Sequence, residues 1–288
     1  MINWLVEPLQ YAFMQRGLIA SILVGIVCAV IGCYVVLRGL AFLGDALAHA
    51  VLPGVALSYL LGGSLLGGAL IAALLVAVAI SLFSSEGRIK EDTAIGILFS
   101  ASLALGVALI STIRTYAVDL SHILFGNVLG VSVSDIWLIL GLTVVVLAVL
   151  LILYRPFLVV SFDPVLATTL RLPTQLLRGL MLVLLALTVV ISLQTVGIGL
   201  VTAMLVTPGA AAYLLTRRLP AMMVVAAGIG ALSSTIGLYL SYYLNIASGA
   251  AVVLVATLIF LLVYLFAPER GLLTQWFKTR GVRREIAR

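Results

Sequence analysis

Two side chains of the kinds that bind metal ions lie four residues apart in an otherwise apolar part of this sequence. Asp45 and His49 stand in the run Leu40-Ala41-Phe42-Leu43-Gly44-Asp45-Ala46-Leu47-Ala48-His49-Ala50-Val51-Leu52-Pro53. Residues four apart share one face of a helix, and carboxylate oxygen and imidazole nitrogen are both ligands of divalent transition metals. The spacing therefore predicts a metal-binding pair on one helix face.

The composition places this pair inside a membrane. Hydrophobic residues make up 64% of the 288-residue chain and charged residues 9%, with a mean hydropathy of +1.32. Soluble domains are about 45–50% apolar and about 25% charged. A carboxylate deep in hydrocarbon costs roughly 2.5–3.5 kcal/mol, so Asp45 needs another polar group, water or an ion as a partner. The net charge of +6 indicates orientation in the membrane rather than nucleic-acid binding.

Nine apolar stretches approach the length of about 20 residues that crosses a bilayer. They are 18–37, 40–61, 65–83, 93–112, 134–154, 177–194, 197–215, 220–243 and 249–267. We predict an all-α transmembrane bundle of eight or nine spans, because one stretch can be re-entrant. The chain divides into an interfacial stretch at 1–17, one transmembrane domain at 18–267 and a basic cytoplasmic tail at 268–288.

The arginines and lysines between the spans predict the orientation. If the chain has nine spans, these basic residues all lie on the cytoplasmic side and the N-terminus lies outside. If it has eight spans, the N-terminus lies inside. These loop residues are Arg38, Arg88, Lys90, Arg155, Arg171, Arg178, Arg217 and Arg218. Counted from Arg38 at 1.5 Å per residue, Asp45 lies about 10 Å deep and His49 about 16 Å deep, near the middle of a core about 30 Å thick.

Two prolines predict helix kinks. Pro53 cannot donate to the carbonyl of His49 four residues earlier, so that carbonyl needs water, a side chain or an ion. Pro208, in Thr207-Pro208-Gly209, predicts a second kink. Gly63 and Gly67 form a Gly-x-x-x-Gly pair, which is typical of close helix packing.

The alternative for Asp45 and His49 is that they only hold helices together, as polar side chains do in membranes. If they bind an ion, two ligands are too few. A symmetric dimer, the commonest oligomer, would supply two carboxylates and two imidazoles. That mixed set suits Mn(II), Zn(II) or Fe(II) better than Mg(II) or Cu(I); the sequence does not choose among the three metals.

The longest predicted cytoplasmic connection, 155–176, contains a short helix. Ser161 or Asp163 caps it, Pro164 starts it, and it ends near Leu170 before Pro173. The helix either lies passively at the interface or docks on a soluble partner.

Other residues point away from catalysis. There is no Gly-x-x-x-x-Gly-Lys-Ser/Thr loop for ATP and no arranged nucleophile–base pair, so we predict no enzymatic activity and no intrinsic cofactor. His122 is interpreted as a solvated or structural residue. Cys28 and Cys33, five apart on different helix faces, are interpreted as packing residues.

The segment from Val36 to Gly54 strongly resembles the signature of the manganese/zinc/iron ABC transporter permeases. Weaker matches lie in Leu124-Phe125-Gly126-Asn127, in Phe162-Asp163 with Ala167, and in Val196-Gly197 through Thr207-Pro208-Gly209-Ala210-Ala211-Ala212. The resemblance runs from about residue 8 to residue 268. It departs from the family at Arg171, where many relatives would carry glycine.

The resemblance implies a homodimeric or paired permease in the bacterial inner membrane. It implies two cytoplasmic ATP-binding subunits and an extracellular or periplasmic metal-binding protein as partners. By the family's pattern Asp45 and His49 are metal ligands, and the segment of about 156–175 couples to the ATPase through Phe162, Asp163, Ala167 and Leu172. The ion would pass by alternating access.

Two rival functions stay open. One is an ABC permease for a chelated metal or a cobalamin-like ligand, although a large ligand needs a wide and inert cavity. The other is a gradient-driven carrier, although such carriers often show internal repeats and several ionisable groups in the membrane.

Overall fold

The structure is a computed structural model that describes residues 6–84, 89–112, 130–268 and 271–273. All regular elements in these ranges are helical, and eight helical segments are long and apolar enough to cross a membrane. A ninth, apolar over Leu200–Leu215, is shorter. The prediction of an all-α bundle of eight or nine spans is confirmed.

Twelve helices follow a 3₁₀ turn at Pro8–Gln10 in the described part of the chain. They are α1 (Ala12–Leu37), α2 (Leu43–Ala50), α3 (Leu52–Leu60), α4 (Leu65–Phe83), α5 (Glu91–Ser111), α6 (Val133–Ile152), α7 (Tyr154–Phe162), α8 (Pro164–Thr169), α9 (Thr174–Val196), α10 (Ile198–Leu215), α11 (Leu219–Leu244) and α12 (Ser248–Phe266).

The first helix begins six residues before the first predicted span. Residues 12–17 form the first turns of α1, in which Met14 and Gly17 are buried. Burial of an apolar side chain such as Met14 contributes about 1.5–3 kcal/mol, which favours extending the helix into the bundle.

The helices form successive layers. α1 packs against α6 and α11 on one side and against α9 and α10 on the other, and α9 and α10 also contact α2. Small residues bring these layers together: a Cβ added at Gly32 of α1 would overlap the Leu205 carbonyl of α10, and one added at Gly44 of α2 would lie 2.7 Å from Leu205 Cδ1. Helix α10 therefore lies between α1 and α2.

The helices α3 and α4 meet through other glycines than the predicted pair. A Cβ added at Gly54 would overlap the carbonyl of Gly68, and one added at Gly68 would overlap Ser58. By contrast, Gly67 meets only Ser64, the cap of its own helix, and Gly63 lies in the connecting loop. The prediction that Gly63 and Gly67 form the packing contact is wrong within the described residues.

Both cysteines are buried side chains within α1. Cys28 Sγ lies 3.1 Å from Ser192 Oγ, and the Cys33 thiol donates to the Ala29 carbonyl at 3.3 Å. Neither thiol faces the other, and the packing interpretation is confirmed.

Several predictions fall outside the described residues. They concern residues 1–5, Arg88, His122, the motif Leu124-Phe125-Gly126-Asn127 and the basic tail beyond residue 273.

Candidate metal site

The helix that carries Asp45 and His49 is short and is interrupted at both ends. Residues 38–42 form a turn in which Gly39 has a φ of +70°, a value that glycine adopts without steric cost. At the other end α2 stops at Ala50 and α3 starts at Leu52, with Pro53 in the first turn of α3. A proline in the first turn of a helix loses no helical hydrogen bond, so the chain accommodates Pro53 by a break at Val51.

Asp45 and His49 face each other along one side of α2. Asp45 Oδ1 lies 3.6 Å from His49 Nε2, longer than the 2.7–3.2 Å of a direct hydrogen bond. With donors at about 2.1 Å from a shared ion, two ligands at this separation subtend an angle of about 120°. The two side chains can therefore bind one ion between them without a change of backbone.

The pair lies on the open face of α2. The Asp45 side chain is 46% exposed and the His49 side chain 25% exposed, whereas Leu47, Ala48 and the other residues on the opposite face are buried. His49 stacks edge-on against Phe99 of α5, with ring centroids 5.6 Å apart. The single chain thus leaves the carboxylate without a covering neighbour among the described residues.

The other ring nitrogen of His49, Nδ1, makes no hydrogen bond to the described residues, and it is buried. An unsatisfied buried polar atom costs about 1–3 kcal/mol. The imidazole thus packs against Phe99 with no hydrogen bond from Nδ1 to the described residues.

The turn at residues 38–42 interrupts the continuous helix that the count from Arg38 assumed. Measured from Leu43, Asp45 lies about 3 Å and His49 about 9 Å along the helix axis. The 18 residues from Leu43 to Leu60 span about 27 Å, so His49 lies about 4 Å short of the midpoint of this segment and Asp45 about 10 Å short.

The described part of one chain offers two ligands at this position, Asp45 and His49. Among the described residues there is no group of three or more His, Cys, Asp or Glu side chains that could hold an ion. Structural and catalytic sites for zinc use at least three protein ligands, so an ion held here would need further donors from outside the described part of one chain.

The 155–176 connection contains the short helix that the sequence predicted, as α8. Asp163 caps α8, and its carboxylate accepts from the Leu166 N–H at 2.9 Å. Pro164 begins the helix. Of the two predicted caps, Asp163 is therefore the one the chain uses.

Arg171, where the family resemblance led us to expect glycine, lies at the end of α8. Arg171 has a φ of +54°, its N–H donates to the Thr168 carbonyl, and the Leu172 N–H donates to the Ala167 carbonyl, both at 3.0 Å. This is a Schellman motif with arginine at the position where glycine is common. The predicted coupling residues Ala167 and Leu172 thus close the helix end.

The surface of this segment is apolar and exposed. Phe162 is 60% exposed and Val165 73% exposed, whereas Ala167 is fully buried. An exposed apolar patch on a compact element is typical of a docking surface.

A partly buried ion pair at the predicted cytoplasmic end was not predicted from the sequence. Arg38 Nη2 donates to both carboxylate oxygens of Glu91, at 2.7 and 3.0 Å, and the two side chains are 12% and 18% exposed. Burial lowers the pKa of the Arg38 guanidinium, Glu91 opposes the lowering and the nearby Arg178 adds to it. The pair joins the turn before α2 to the start of α5.

The predicted kink at Pro208 lies within α10, which is continuous from Ile198 to Leu215. A capping box of Ser132 and Asp135 starts α6, so Asp135 serves the helix terminus.

Comparisons with known proteins agree over nearly the whole chain. The model of the ABC 3 transport family matches residues 10–267. "Manganese transport system membrane protein MntC" of Halalkalibacterium halodurans is 51% identical, over 94% of this chain and 93% of that protein. "Probable iron transport system membrane protein" of Haemophilus influenzae is 41% identical, over 96% and 97%. The solved structure "PsaBC from Streptococcus pneumoniae in complex with Fab" superposes with a TM-score of 0.83 at 41% identity, over 94% of this chain and 98% of that one.

Proposed function

The chain belongs to the ABC 3 transport family, and we propose that it is the permease subunit of an ATP-driven manganese importer in which Asp45 and His49 bind the ion. The observation that carries this proposal is the pair of donors 3.6 Å apart on the open face of α2. The choice of manganese follows the name of the Halalkalibacterium halodurans relative. The resemblance found in the sequence is confirmed at the level of the family.

The open face of α2 supports a homodimer. A half-exposed carboxylate facing lipid would cost roughly 2.5–3.5 kcal/mol, and this cost disappears if the face of a second copy covers it. Two copies related by a two-fold axis would contribute two carboxylates and two imidazoles, a set that suits a first-row divalent ion.

The energy for transport comes, in this proposal, from a separate ATP-binding chain. The exposed apolar side chains of Phe162 and Val165 on the α7–α8 segment form the docking surface for that chain, one segment in each copy. An extracellular or periplasmic metal-binding protein delivers the ion to the other side. ATP binding and hydrolysis then alternate the access of the site between the two sides of a bacterial cell membrane.

Metal uptake by cells that carry the complete importer tests the assignment of the ligands. We expect Asp45→Asn and His49→Gln each to reduce manganese uptake more than about tenfold at normal protein levels, since even an outer-shell partner of a metal ligand is worth about 10–100-fold. Asp92→Asn is the matched control, because Asp92 is an exposed carboxylate in the first turn of α5. Wild-type uptake by both ligand variants would refute the site.

Iron is the second candidate, because the Haemophilus influenzae relative bears an iron transport name. Competition of manganese uptake by Fe(II) and Zn(II) in the same cells separates the metals. Stronger competition by either ion than by unlabelled manganese would replace manganese as the proposed substrate while leaving the ligand assignment intact.

A further inference from the structure

An apolar groove opens between three helices on the opposite side of the bundle from Asp45 and His49. It has a volume of about 470 Å³, and its walls include Val30 of α1, Leu150 of α6, and Met223 and Ala227 of α11. Pockets for small ligands have volumes of about 300–1,000 Å³. The groove is thus large enough for one flexible hydrocarbon chain.

The groove runs inward from one end of the bundle. Tyr154 and Pro220 line its outer part, and both lie at the end of the bundle that the arginines assign to the cytoplasm. From Pro220 to Ala227, α11 rises about 10 Å. The groove therefore covers about two-thirds of one leaflet of a hydrocarbon core about 30 Å thick.

An arginine lies within two residues of each outer lining residue in the sequence. Arg155 follows Tyr154 in the first turn of α7, and Arg218 caps α11 two residues before Pro220. Both side chains are exposed. A guanidinium presents a rigid set of donors that matches a phosphate, and basic clusters between membrane helices on the cytoplasmic side bind anionic head groups.

The groove is separate from the proposed metal path and from the proposed contact with a second copy. Helix α10 lies between α1 and α2, because Leu205 contacts Gly32 on one side and Gly44 on the other. The groove lies on the far side of α1, and its edges carry outward-facing apolar side chains such as Leu151 (69% exposed) and Val224 (73% exposed). These features fit contact with lipid.

We propose that this groove is a binding site for one anionic phospholipid of the cytoplasmic leaflet, with an acyl chain along Val30 and Ala227 and the phosphate held by Arg155 and Arg218. The apolar walls remove the chain from bulk lipid, and the two guanidinium groups select the charge of the head group. Nothing in the proposed transport function requires this site.

Native mass spectrometry of the purified full-length chain tests the proposal. After removal of native lipid, we expect retention of added phosphatidylglycerol in preference to phosphatidylcholine. An arginine near the membrane surface contributes about 1 kcal/mol, which is about fivefold in affinity. The double variant Arg155→Gln, Arg218→Gln should therefore bind phosphatidylglycerol about 25-fold more weakly. Arg171→Gln is the matched control, because Arg171 is an exposed arginine that does not border the groove.

A second pair of variants separates binding from folding. Arg155→Lys, Arg218→Lys keeps both charges and should retain most of the phosphatidylglycerol. Ala227→Phe fills the groove and should reduce the binding of phosphatidylglycerol while Arg155 and Arg218 remain. Equal retention of the two lipids by the natural chain, or unchanged binding of phosphatidylglycerol by Ala227→Phe, would overturn the proposal.

Discussion

Replacing Glu91 by glutamine should destabilise the protein more than any comparable change at an exposed carboxylate. Glu91 accepts two hydrogen bonds from Arg38 at 2.7 and 3.0 Å, and it is the acidic partner of a site that also includes Arg178. The glutamine side chain can keep one hydrogen bond, but it leaves the Arg38 guanidinium buried beside Arg178 without a counter-charge.

The burial of the pair sets the size of the effect. Exposed ion pairs contribute about 0.2–1 kcal/mol, whereas removing one partner of a buried pair costs about 3–5 kcal/mol. With exposures of 12% and 18%, the Arg38–Glu91 pair belongs near the buried limit. We expect Glu91→Gln to lower the free energy of unfolding by about 3 kcal/mol.

The assay is reversible unfolding of the purified chain in mixed micelles by a titration with sodium dodecyl sulfate, followed by far-ultraviolet circular dichroism. Asp92→Asn is the control, because Asp92 lies next to Glu91 in the same helical turn and is exposed. Its loss removes a favourable charge at a helix N-terminus and should cost about 0.3–1 kcal/mol.

A double variant checks the cause. Arg38→Leu, Glu91→Leu removes both charges, and replacing a buried ion pair by apolar residues is often neutral or stabilising. We therefore expect it to be more stable than Glu91→Gln. If Glu91→Gln lost no more than Asp92→Asn, or if the double variant were the least stable of the three, the argument from burial would be refuted.

Three further predictions concern other parts of the chain. Asp45→Cys should form a disulfide between two copies under mild oxidation in membranes, seen as a band of twice the mass on non-reducing gels; a monomeric band alone would contradict the proposed two-fold axis. Arg171→Gly should raise the free energy of unfolding by about 1 kcal/mol, because a side chain at positive φ costs roughly 1–2 kcal/mol; a loss would show that the guanidinium outweighs this cost. Gly54→Ala should lower the unfolding free energy by about 1–3 kcal/mol through overlap with Gly68, whereas Gly96→Ala, with no neighbour within 4 Å, should raise it by up to about 1 kcal/mol.

Features that depend on local sequence could be predicted well. Hydrophobicity over about 20 residues identified the spans, and Asp163 was one of the two caps predicted for the helix that starts at Pro164. Each of these features depends on side chains within one turn or one span.

Features that depend on which helices are neighbours could not be predicted. The Arg38–Glu91 pair joins residues 53 apart, and neither residue is unusual at the end of a span. The Gly-x-x-x-Gly spacing pointed to Gly63 and Gly67, whereas the contact uses Gly54 and Gly68, which lie on two different helices. The count from Arg38 to Asp45 assumed a continuous helix, whereas residues 38–42 form a turn.

The break at Val51 divides one membrane span into α2 and α3, and a glycine brings each of these helices close to a different neighbour. Gly44 lets α2 approach α10 closely, and Gly54 lets α3 approach α4 closely. Both α2 and α3 also pack against α5, so the break at Val51 lies between two segments that share one neighbour and each approach another through glycine. The imidazole of His49 lies half a helical turn from this break.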